Sequence, residues 1–89
     1  MTLEDINKKV YKANIELFHS GLEHYGFKVQ IEISLETYRK LCAGDNFRVI
    51  RLEVDTPYER IYRGTIYGTP FVITQDTDRV LIVKEIADN

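Results

Sequence analysis

The sequence predicts an α+β domain: a long N-terminal amphipathic helix, a strand, a short helix, then a mostly antiparallel sheet meander with the helices on one face. Three observations carry this expectation. Apolar residues recur at spacings of three and four over the first quarter of the chain, alternate with polar residues from Phe27 to Ile33, and alternate again after Phe47. Eighty-nine residues with 44% hydrophobic and 11% aromatic content fit one folded domain spanning 1–89 rather than a disordered or fibrous chain.

The first helix is expected from Thr2 to about Tyr25. Thr2 is suited to the N-cap, Asp5 stands three residues on as in a capping box, and Glu4 and Asp5 lie where the helix dipole favours negative charge. Leu3, Ile6, Val10, Ala13 and Leu17 form one apolar stripe; Tyr11, Ile15, Phe18, Leu22 and Tyr25 form a second. At about 100° per residue the two stripes span roughly 200° of the circumference, twice what a helix lying on one sheet requires. Lys8, Lys9, Lys12, Glu16, His19 and Glu23 fill the rest. The excess surface is covered either by a second copy of the chain or by the second helix.

Gly26 is expected to end the helix. Phe27, Val29, Ile31 and Ile33 alternate with Lys28, Gln30 and Glu32 as in a strand with one buried face. Ser34 caps a short helix carrying Leu35, Tyr38, Leu41 and Cys42, stopped by Gly44, with Cys42 expected as a small buried hydrophobe. Ile50, Leu52 and Val54 alternate with Arg51 and Glu53; Asp55-Thr56-Pro57-Tyr58 forms a turn; Arg60 to Tyr67 is a polar, tyrosine-rich strand. Gly68-Thr69-Pro70 is a break, with Pro70 opening the next strand, and Gly64 and Gly68 permit a bulge or close backbone approach. After Phe71 to Thr74, residues Gln75 to Asp78 read as a hairpin turn. Val80 to Val83, apolar on both faces, reads as a central strand.

The residues argue against several kinds of chemistry. His19 and His24 point about 140° apart on a helix, and His19 with Glu23 supplies only two ligands, so no metal site is expected. Asp76-Thr77-Asp78 lacks the glycine and distal glutamate of a calcium loop, and Gly64 to Thr69 lacks the lysine of a P-loop. No serine or cysteine has a positioned base in view, so neither an enzyme nor a cofactor is expected. A single cysteine, no long apolar run and no basic-then-apolar opening point to a cytoplasmic domain without membrane association.

Arg48, Arg51, Arg60 and Arg63 stand among Tyr58, Tyr62 and Tyr67, a combination able to stack bases and hold phosphates. Glu53, Asp55 and Glu59 leave that segment nearly neutral, and cross-strand Arg–Glu pairs explain the same residues. Nucleic acid is therefore not the favoured partner.

Tyr62-Arg-Gly-Thr-Ile-Tyr-Gly-Thr-Pro-Phe-Val-Ile contains a strand with Gly-x-(Ile/Leu)-x-Gly-x-Pro followed by a β run, and Ser34-Leu-Glu-Thr-Tyr-Arg-Lys-Leu supplies a helix some tens of residues earlier. Residues 34–83 thus resemble the late helix and strand region of tailed-phage major capsid proteins. The chain carries no counterpart of that fold's long spine helix or extended loop. The resemblance implies a small phage-type protein that makes subunit contacts, in the host cytoplasm or the virion, and it assigns no catalytic or binding residue.

The expected function is non-enzymatic protein binding: a viral structural or assembly factor acting through self-association. Tyr11, Ile15, Phe18, Leu22 and Tyr25 are the candidate interface, and Arg51, Arg63 and Tyr67 a second binding face. The alternatives are a phage-encoded inhibitor of a host enzyme or defence complex, and a nucleic-acid-binding module using the Arg/Tyr strands.

Overall fold

The computed structural model describes residues 1–44, 49–54, 62–74 and 77–85. Phe47, Arg48, the Asp55–Tyr58 turn, Glu59, Arg60, Gln75 and Asp76 lie outside the described residues, as do the side chains of Val54 and Tyr62.

Helix α1 (Leu3–Ser20) begins with the capping box that its sequence predicts. The Thr2 hydroxyl accepts the Asp5 N–H at 3.2 Å, and the Asp5 carboxylate accepts the Thr2 N–H at 3.0 Å. The helix ends earlier than Tyr25. Gly21 takes a left-handed conformation, φ 70°, and donates its N–H to the Phe18 carbonyl, so the chain turns there and continues as one 3₁₀ turn, Leu22–Tyr25. Gly26, again left-handed, leads into β1 (Phe27–Ser34). Ser34 both ends β1 and caps α2 (Leu35–Cys42), its hydroxyl accepting the Thr37 N–H. Ala43 rather than Gly44 caps the C-terminus of α2, and Cys42 is exposed rather than buried.

Four further strands follow: β2 (Ile50–Val54), β3 (Tyr62–Ile66), β4 (Thr69–Thr74) and β5 (Arg79–Lys84). They join β1 in a five-stranded mixed sheet of order β2-β3-β4-β1-β5, antiparallel except for the β1–β4 pair. The meander therefore holds only from β2 to β4. The connection after β4 is not a hairpin, because β1 lies between β4 and β5. β5 is an edge strand rather than a central one.

The β3–β4 hairpin turns on Tyr67 and Gly68, with φ values of 50° and 80°. Two positive φ values in a two-residue loop are those of a type I′ turn, whose twist matches that of the flanking strands. β4 accordingly starts at Thr69, with Pro70 second in the strand and opposite Thr65.

Register assigns the two sheet faces. Ile31, Phe71, Gly64, Leu52 and Val80 align across the five strands on one face. Ile6 of α1 and Leu41 of α2 pack into the same buried cluster as Ile31, Ile33, Ile50, Ile66 and Phe71 on that face. A second cluster joins Ala13 and Leu17 of α1 to Val29, with Leu22, Phe27, Val80 and Ile82 around it. α1 thus lies over β1 and β5, and α2 over β1 and β4. Each fully buried aliphatic side chain contributes about 1.5–3 kcal/mol, which matters in a chain whose size leaves little surplus.

Gly64 marks the tightest approach in the sheet. A Cβ there would stand 1.8 Å from the Arg51 carbonyl oxygen and 2.9 Å from the Phe71 ring. The absent side chain lets β2 and the Phe71 ring close over β3.

Candidate functional site

The first apolar stripe of α1 faces the sheet: Ile6, Ala13 and Leu17 are buried, with Leu3 and Val10 packed beside them. The second does not. Tyr11 is 71%, Ile15 40% and Phe18 70% exposed. Spaced by four and three residues, they lie on one face of α1 and extend over about 10 Å of its axis. Among the described residues neither α2 nor the sheet covers them, so covering by the second helix, one of the two expectations, does not occur.

The expected five-residue row is not continuous. The left-handed Gly21 redirects the chain, and Leu22 swings into the cluster with Ala13, Leu17 and Val29. Tyr25 remains on the surface at 72% exposure, on the 3₁₀ turn rather than on α1. The exposed face of the helix is therefore Tyr11, Ile15 and Phe18. Its flanks are polar. Lys8 pairs with Glu4 at 3.5 Å, Lys12 and Glu16 are exposed, and the His19 ring meets Phe18 edge-on at a centroid distance of 5.8 Å.

The second candidate face is the side of the sheet opposite α1 and α2. Glu53, Arg63, Val72, Glu32 and Arg79 align across its five strands. The charges alternate along this row. Arg63 opposes Glu53 in register, and Arg79 donates to the Glu32 carboxylate, which holds the Arg79 guanidinium above its usual pKa. Lys28 reaches Glu85 at 3.3 Å. Arg51 is exposed on the same face, opposite Thr65. Tyr67 sits instead at the tip of the β3–β4 hairpin, its N–H donated to the Val49 carbonyl. A shallow depression of about 590 Å³ runs along the face between Lys28, Gln30, Arg63, Thr65 and Val83. Its mixture of charges is that of cross-strand ion pairing.

Asp78 plays a part that no local pattern announces. Its carboxylate accepts the Ser34 N–H at 2.8 Å and the Thr37 hydroxyl at 2.7 Å, so the residue before β5 completes the N-terminus of α2. Partial burial pushes the Asp78 pKa up, but the hydrogen bonds from Ser34 and Thr37 outweigh it and hold the carboxyl below its usual value. On α2, burial and then a hydrogen bond with Cys42 push the Tyr38 phenol up, while its ring stacks on Phe71 at 6.0 Å between centroids.

Among the described residues no three His, Cys, Asp or Glu side chains converge as a metal site would require, and no helix is long and apolar enough to cross a membrane. No family model, no curated protein and no solved structure matches the chain.

Proposed function

We propose that this chain is a non-enzymatic protein-binding domain that self-associates through the outer face of α1. The supporting observation is the exposure of Tyr11, Ile15 and Phe18 on a helix whose opposite face is fully used by the core. Water-exposed aromatic surface in a contiguous row is costly to leave bare and favours a partner.

A second copy can offer the same apolar row to this face. In an antiparallel pair about a two-fold axis at Ile15, Tyr11 of each copy meets Phe18 of the other. The row offers only a few hundred Å² per copy, against the roughly 800 Å² per partner of a standard stable interface. The α1 contact is accordingly weak alone and gains from any second contact between copies.

Together with the resemblance of residues 34–83 to capsid-protein elements, this supports a phage structural or assembly factor. An inhibitor of a host complex would use the same apolar row against a different protein. Sedimentation of the native chain and of an Ile15→Ser/Phe18→Ser variant tests the reading. The variant is expected to keep its fold and lose mass at equal concentration; a native chain that stays monomeric at high concentration contradicts self-association.

A further inference from the structure

β5 has the composition of a central strand and the position of an edge. Val80, Leu81, Ile82 and Val83 are apolar on both faces, yet only β1 flanks the strand among the described residues. Edge strands are ordinarily guarded by an internal charge, a proline or a bulge. β5 has charges only at its ends, Arg79 and Lys84, and Glu85 follows.

One hydrogen bond fixes which backbone groups face outward. The Glu85 N–H donates to the Gly26 carbonyl at 2.7 Å, on the β1 side. Backbone groups alternate sides along a strand, so Arg79, Leu81 and Val83 also address β1. The N–H and C=O groups of Val80, Ile82 and Lys84 point away from the sheet.

We propose that this edge pairs antiparallel with β5 of a second copy about a two-fold axis at Ile82, extending the sheet across two chains. Only outward-pointing residues can form the hydrogen-bonded pairs. Two registers meet this condition over five residues of each β5, centred on Leu81 and on Ile82, and the second forms three hydrogen-bonded pairs within the strand against two. In it Ile82 faces its own copy and Val80 faces the second copy's Lys84, each pair exchanging two bonds. That register sets Arg79 opposite the second copy's Glu85, and Leu81 opposite its Val83 on the face opposite α1 and α2. The like-charge alternative, Arg79 against Lys84, would couple an inward-pointing residue to an outward-pointing one, so the backbone forbids it. Hydrogen-bond direction thus excludes the like-charge alignment, and the number of hydrogen-bonded pairs within β5 favours the axis at Ile82. This surface is separate from the α1 row and does not depend on it; used together, two self-complementary contacts would link copies into a row rather than stop at a dimer.

The register is tested by cysteine cross-linking with Cys42 replaced by Ala. Leu81 and Val83 lie outside both buried clusters, so single cysteines there should preserve the fold. Residues facing each other in a non-hydrogen-bonded antiparallel pair have Cα atoms about 4.5 Å apart, within disulfide reach. Mixing Leu81→Cys protein with Val83→Cys protein is expected to give an oxidised dimer that neither variant forms alone. Lys84→Pro, which removes an outward N–H without touching the β1 ladder, should cut the cross-linked yield at least tenfold, and Glu85→Arg should cut it severalfold. Ile15→Ser should leave it unchanged. No cross-link in the mixture, equal cross-linking by either variant alone, or indifference to both Lys84→Pro and Glu85→Arg would overturn the proposal.

Discussion

The Thr37 hydroxyl donates to Asp78 across 2.7 Å, tying the buried threonine in the first turn of α2 to the residue just before β5. Two segments separated by nearly half of the chain are joined there, with the Ser34 N–H on the other carboxylate oxygen. The Asp78 pKa is lowered in the folded state, so its contribution is full above the unfolded value, about 3.9, and is lost as pH falls through the folded one. Asp5, whose carboxyl the Thr2 N–H and then the Thr2 hydroxyl hold low, acts in the same direction. Denaturation midpoints between pH 2 and 6 should therefore decline below about pH 4. Asp78→Ala should cost about 1 kcal/mol at neutral pH, after allowance for its exposure, and flatten part of that decline. An unchanged slope in the variant would remove Asp78 from the account.

Gly64→Ala should destabilise the fold by about 3 kcal/mol, because the new Cβ meets the Arg51 backbone at 1.8 Å rather than a side chain able to move. Gly21→Ala provides the contrast. Nothing lies within 4 Å of a Cβ there, so only the left-handed backbone opposes it, at about 1 kcal/mol. Urea titrations of both variants check the order, and equal losses would contradict the packing described for β3.

Tyr67 holds a φ of 50° at the first position of a type I′ turn, where asparagine and glycine are favoured. Tyr67→Asn should raise stability by about 0.5–1 kcal/mol, seen as a higher melting temperature. If the exposed tyrosine ring serves a partner, the same substitution weakens binding while it stabilises the chain. A destabilised variant would show that the ring supports the hairpin instead.

Local chemistry was legible in the residues, and long-range partnership was not. The Thr2–Asp5 box, the Ser34 cap and the alternation of Val29, Ile31 and Ile33 each depend on neighbours within a few positions, and each appears where its pattern indicates. Gly21 carried a visible signal, since glycine interrupts the second stripe just before Leu22, but the stripe's period ran past it. Strand order had no such signal. Val80 to Val83 reads as central because apolarity reports burial or a partner without distinguishing them, and the insertion of β1 between β4 and β5 depends on contacts far apart in sequence. The Asp78 bridge was hidden for the same reason. For the candidate interface, helical periodicity grouped Tyr11, Ile15, Phe18, Leu22 and Tyr25, of which Leu22 packs against the core and Tyr25 sits on the 3₁₀ turn; register placed Arg51 and Arg63 together and left Tyr67 at the hairpin tip.

The central claim is that the outer row of α1 holds copies of this chain together, and sedimentation equilibrium over a wide concentration range tests it most directly. The native chain should show an average mass that rises with concentration. The Ile15→Ser/Phe18→Ser chain should show a lower curve with an unchanged circular dichroism spectrum, since these residues lie on the face away from the core. Coincident curves, or a variant that unfolds, would contradict the claim.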